Sequence, residues 1–223
     1  MGIHGRAAHL PGRQVSWGGE WRGKNYVIWV EGIVQETSTF GENLILRRRI
    51  STNLTEPCFW IDDSVENQGF EPAAHMFLQH INLGYPLVDE TARLVLPEHT
   101  TQPRDEAARL GLANCCEFSS PIPGYMEQVF YHDLQPDGSG QVEVCLENPA
   151  FNQGRGLSVA LRYAKADYPI FVEWKMMGEG LYVVGLEPAN CHVGGRSQER
   201  VNGTLPVLAP QEKRSYKLEV EVV

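Results

Sequence analysis

From Tyr26 onward the chain is a succession of short stretches in which apolar residues return at every second position, each closed by a turn signal. That period of two is what most limits the folds open to it. Tyr26 to Val34 alternates Ile28, Val30, Gly32 and Val34 against Val27, Trp29 and Glu31. Residues 43–52 set Leu44, Leu46, Arg48 and Ile50 on one face, so Arg48 is the odd member of an apolar row and needs a partner. Further strands are expected at Cys58 to Val65, 74–87, Tyr125 to Asp133, Gln141 to Asn148, Leu157 to Tyr163, Ile170 to Met176, Leu181 to Leu186 and Ser215 to Val223. Asp137-Gly138-Ser139-Gly140 is a hairpin signal and Gly178-Glu179-Gly180 a second turn. Helical periodicity is confined to a short stretch, Arg104 to Leu112. Residues 1–25 are rich in Gly, Arg and His, show no periodicity and read as a loop. About ten strands with turns roughly every 8 to 15 residues is the pattern of an all-β antiparallel sandwich.

The totals fit that reading. A chain of 223 residues, 42% hydrophobic, is long enough for one sandwich or barrel, or for two small domains. The net charge of −9 argues against a nucleic-acid partner or an anionic membrane surface. No apolar run approaches the roughly 18 residues of a membrane span, and the first residues carry no hydrophobic leader. The five cysteines are odd in number and form no Cys-x-x-Cys, which reads as free thiols in a reducing cytoplasm.

Motif chemistry is mostly absent. No phosphate-binding glycine loop, no Gly-x-Ser-x-Gly elbow and no closely spaced histidine pair occurs, so neither a nucleotide cofactor nor a metal is expected. What remains are polar residues standing where a strand expects a hydrophobe. His80 follows Ala74, Met76 and Leu78 on one face, with Asn82 beyond it. Glu187 closes the row Leu181, Val183 and Gly185. Each alone is more often a satisfied buried residue than a catalyst. Together, at strand ends and in a chain with Trp60, Trp174 and Tyr85, they are candidates for an acid–base pair acting on a sugar, whose ring faces stack on aromatics while its hydroxyls seek polar groups.

Several segments, in order along nearly the whole chain, carry a resemblance. They are Ile3-His4-Gly5-Arg6, Phe40-Gly41-Glu42-Asn43-Leu44, His80-Ile81-Asn82-Leu83-Gly84-Tyr85-Pro86, Pro123-Gly124-Tyr125-Met126-Glu127, Trp174-Lys175-Met176-Met177-Gly178-Glu179-Gly180 and Gly185-Leu186-Glu187-Pro188-Ala189. The chain resembles the aldose 1-epimerase, or galactose mutarotase-like, family, and within it a branch of unknown function. The resemblance implies one domain over 1–223 with the antiparallel β supersandwich of that family. Members carry several strands ahead of the His-Gly motif, whereas this chain begins almost at it, so the expected sandwich is short of N-terminal strands. Exposed sheet edges, and with them a homo-oligomer, are then expected.

By the same resemblance His80 matches the family's catalytic acid and Glu187 its catalytic base. His4, Arg6, Asn82, Glu127, Trp174 and Lys175 fall at groove positions that would hold the sugar. Leu146-Glu147-Asn148 stands where relatives have a sugar-binding Asp, which leaves the sugar undefined. Arg6, Lys175 and Arg48 could also meet an anionic group on it. The implied reaction is anomer interconversion without a cofactor, and the alternatives are a sugar-binding protein without turnover or another sugar isomerisation.

Overall fold

The computed structural model describes residues 4–223, so Ile3 of the first family-like segment lies outside the described residues. The chain forms two compact units: one comprises the residues up to Met76 together with Val193–Val220, the other Phe77–His192 with Glu221–Val223.

In the first unit, strands β1 (Arg13–Arg22), β2 (Asn25–Thr37), β3 (Asn43–Asn53) and β4 (Cys58–Asn67) form an antiparallel meander. A short strand β5 (Ala73–Ala74) follows. The alternation seen in the sequence decides which face is buried. Ile61, Asp63, Val65 and Asn67 of β4 point inward, and between them stand exposed or half-buried residues such as Asp62 and Glu66. Asp63 sits directly opposite Arg48, which donates to both its oxygens at 2.8 and 2.7 Å. That bidentate pair answers the odd arginine of the apolar row.

β1 lies inside the stretch that reads as a loop. It pairs with β2 through the two-residue connection Gly23-Lys24, with Gly23 at φ 64°, the left-handed conformation such a turn demands. The cross-strand partners Trp17–Val30, Val30–Ile50 and Ile50–Ile61 form an apolar row across one face of the meander, beside the Arg48–Asp63 pair. That face is buried at Ile61 and open at Trp17 and Trp21, which are 77% and 71% exposed.

The second unit opens with β6 (Ile81–Gly84), β7 (Arg93–Val95), β8 (His99–Pro103), β9 (Gln128–Leu134), β10 (Gln141–Asn148), β11 (Leu157–Ala164), β12 (Ile170–Gly178) and β13 (Leu181–Ala189). Five of these build a sheet in the order β6-β13-β12-β9-β8, antiparallel throughout. β7, β10 and β11 pair in the order β11-β10-β7. Val144, Leu146, Leu161, Tyr163, Phe171 and Leu186 are buried at 2% exposure or less. The hairpin joining β9 to β10 is tied by Asp137, whose carboxylate accepts from the Ser139 and Gln141 amides, as the Asp-Gly-Ser-Gly signal implies. The helix Glu106–Gly111 begins at Asp105, whose side chain accepts from the Ala108 amide at 3.0 Å. The remaining strands, β14 (Val207–Leu208) and β15 (Lys213–Val222), return to the first unit, where β14 pairs with β5 and β15 lies beside β4.

The strand expected from residue 74, running into a turn at Gly84 and Pro86, reaches that turn but is interrupted before Ile81. Only Ala73–Ala74 and Ile81–Gly84 are regular, and 77–79 follow the end of β13 irregularly. The cause is Pro188. Gln79 donates to the Pro188 carbonyl, but a proline has no N–H to return, so the ladder stops one residue short of His80.

Candidate active site

The second unit's five-stranded sheet assembles the site by register. Leu186 pairs with Ile81, and one step further along both strands His80 stands opposite Glu187. The next row on that face, two residues along, is Asn82, Gly185 and Trp174. His80 Nε2 lies 3.0 Å from Glu187 Oε1. The Glu187 side chain is 5% exposed and that of His80 26%, so the pair opens to solvent on the histidine side.

Gly185 makes the contact possible. A Cβ there would lie 2.5 Å from Glu187 Oε1, 3.0 Å from His80 Cε1 and 3.3 Å from Trp174 Cβ. A side chain there would force the carboxylate end and the imidazole to shift. The indole of Trp174 meets the imidazole at 5.8 Å between centroids and 72° between planes, an edge-to-face contact. Trp174 Nε1 donates to Glu127 Oε2 at 2.8 Å. Arg104 donates to the other Glu127 oxygen at 2.9 Å and to Asp105 at 2.8 Å.

The electrostatics follow from these contacts. The hydrogen bond to Glu187 raises the His80 pKa above its ordinary 6.5; partial burial opposes this, and the Glu187 charge and a hydrogen bond to Asn82 add to it. Around neutral pH the imidazole therefore holds its proton more firmly than a free histidine. Glu127 is held below the usual carboxylate range, first by Arg104 and then by the indole N–H.

Of the residues expected from sequence to form a site, the structure brings His80, Glu187, Asn82, Trp174 and Glu127 together. Lys175 is a correction. It follows Trp174 on β12 and so points to the opposite face, where Nζ donates to the carbonyls of Asn114 at 2.8 Å, Cys115 at 3.3 Å and Glu117. It is 6% exposed and binds the loop behind the sheet. His4 and Arg6 belong to the other unit, His4 in a turn and Arg6 paired with Glu36 at 3.0 Å and Glu42 at 3.3 Å. Asn148 is fully buried and donates to the Leu87 carbonyl at 3.0 Å. Arg104 was not foreseen. Nothing in the sequence set this arginine apart from any exposed one.

The reverse face of the same sheet carries a second histidine–carboxylate pair, also unforeseen. His132 Nε2 lies 3.1 Å from Glu173 Oε2, and both side chains are wholly buried. With Nε2 donating to Glu173, Nδ1 accepts from the Thr101 hydroxyl at 2.9 Å. Glu173 Oε1 has no hydrogen-bond partner among the described residues. Among those residues no three His, Cys, Asp or Glu side chains group as a metal site would require, no disulfide joins the five cysteines, and no helix is long and apolar enough to cross a membrane.

The chain belongs to the family described as a domain of unknown function, DUF4432, whose model matches residues 1–222. No curated protein matches the sequence. Solved structures share the fold. A proposed aldose 1-epimerase of Klebsiella pneumoniae superposes with a TM-score of 0.90 at 21% identity, over 98% of this chain and 56% of its own. A galactose mutarotase related enzyme of Lactobacillus acidophilus gives 0.61 at 12% identity, over 93% and 71%. A galactose mutarotase-like protein of Clostridium acetobutylicum gives 0.61 at 15%, over 93% and 66%. The fold is thus that of the galactose mutarotase-like proteins, and the chain spans little more than half the length of the Klebsiella protein.

Proposed function

We propose that the protein interconverts the anomers of an aldose by acid–base catalysis at His80 and Glu187. The observation that carries this reading is the pair itself: a proton donor and a proton acceptor 3.0 Å apart on one open sheet face, with Trp174 alongside.

Opening a sugar ring requires a proton to leave the anomeric hydroxyl and another to reach the ring oxygen. Glu187 accepts the first. His80, whose pKa is raised by that same glutamate, delivers the second. The anomeric carbon becomes an aldehyde, rotates, and recloses with the two protons returned in the opposite sense. A bound anomeric centre exchanges the His80–Glu187 contact for one contact to each group. Asn82 orients the imidazole, and the indole face supplies a surface on which a sugar ring packs. Each of the two groups is expected to contribute roughly 100- to 10,000-fold.

Exchange spectroscopy by NMR on a panel of neutral and acidic aldoses tests the reading. Accelerated anomer exchange that returns to background in Glu187→Gln supports it. Saturable binding of a sugar without acceleration, from folded protein, replaces it with the second reading, a carbohydrate-binding role.

A further inference from the structure

Glu127 would ordinarily be taken for a group that holds a sugar hydroxyl. Its contacts argue otherwise. One oxygen accepts from the Trp174 indole N–H at 2.8 Å and the other from Arg104 at 2.9 Å, so both already have strong donors. Arg104 is anchored in turn by Asp105, at 2.8 Å, and Asp105 caps the helix Glu106–Gly111. The chain of contacts therefore runs from a helix start, through Arg104 and Glu127, to the indole that stands edge-to-face against His80.

We infer that Glu127 and Arg104 are positioning residues: they clamp Trp174, and through it fix the imidazole of His80 in the plane from which it reaches Glu187. This rests on the reading of His80 and Glu187 as the proton-handling pair. Three features support a clamp. The indole N–H points away from His80 toward Glu127, so Trp174 offers the site an apolar surface and no donor. His80 is only half-enclosed, and the edge-to-face contact is its aromatic wall. Gly185 removes the side chain that would otherwise separate the indole from the imidazole. An isolated exposed ion pair contributes little to stability. The clamp's effect is accordingly expected in the geometry of the site rather than in the melting temperature.

A double-mutant cycle tests it. Glu127→Ala is expected to lower kcat on the order of tenfold with little change in KM, because a small displacement of a catalytic group is costly while sugar contacts are retained. Glu127→Gln, which still accepts from the indole N–H, recovers most of the loss. In a Trp174→Phe background the ring remains but the N–H is gone, and Glu127→Ala then has no further effect. The His80 imidazole is followed by NMR titration in the same four proteins. Its pKa moves on Glu127→Ala and does not move again in the Trp174→Phe background. A loss that falls on KM, or one of equal size in both backgrounds, overturns the clamp and makes Glu127 a sugar ligand. The titration needs no substrate. If no sugar is turned over, an unchanged His80 pKa in Glu127→Ala overturns the clamp by itself, whereas a shift that vanishes with Trp174→Phe sustains it while the catalytic reading fails.

Discussion

The five-stranded sheet carries two histidine–carboxylate pairs, one on each face. They have nearly the same geometry, 3.0 Å for His80–Glu187 and 3.1 Å for His132–Glu173. They differ in surroundings. The first opens to solvent at His80 and is walled by an indole. The second is wholly buried, with Thr101 fixing the far ring nitrogen. Only the first pair reaches solvent, so contact distance alone does not separate the two; access and the neighbouring indole do.

The contrast can be broken in several ways. The largest effect is expected at the open pair. Glu187→Gln should lower anomer exchange by roughly 100- to 10,000-fold, while the thermal midpoint moves by a few degrees at most. NMR exchange and calorimetry on one sample read both. The buried pair should behave in the opposite way. His132→Ala leaves Glu173 enclosed without its partner and should cost about 3 to 5 kcal/mol in urea denaturation. The rate per folded molecule should be unchanged. Replacing both members, His132→Phe with Glu173→Leu, should restore most of that stability. A buried pair whose loss also abolished exchange would end the distinction.

A third histidine, His75 in the other unit, is a control in which burial outweighs the charge of a nearby carboxylate, Glu212. Burial, helped by the Arg214 charge, pushes its pKa down to about 4, while Tyr216 lies 2.8 Å from Nε2. Between about 4 and 6.5 the unfolded chain binds a proton that the folded chain does not. Stability should therefore fall as pH drops through that window, by a few kcal/mol. His75→Gln should flatten the profile. The smallest effect is expected from His80. Its pKa is raised, so its contribution is fully present below about 6.5 and is lost as pH rises through the elevated value. Glu187→Gln should remove this slope and lower the His80 titration itself.

The sequence exposed those parts of the site that break a pattern. His80 and Glu187 were legible because each interrupts an apolar row with period two. Lys175 was misplaced although the same period forbids it from sharing a face with Trp174. The resemblance had assigned the whole segment to the groove, and that prevailed over the alternation. Glu173 and His132 were invisible for the converse reason. In β12, Val172, Trp174 and Met176 alternate with Phe171, Glu173 and Lys175, which reads as an ordinary polar outer face. Only tertiary cover makes it interior. β1 escaped notice because Gly18 and Gly19 interrupt the alternation around Trp17 and Trp21. The break before His80 depends on which strand Pro188 faces, which no local pattern reveals.

Gly185 has a use beyond this molecule. Because its missing side chain leaves room for carboxylate, imidazole and indole to meet, the position works as a filter for sorting related genes. A chain that keeps histidine, glutamate and tryptophan but places a larger residue there must shift the carboxylate end or the imidazole. Such chains are where loss of turnover with retention of sugar binding should first be sought.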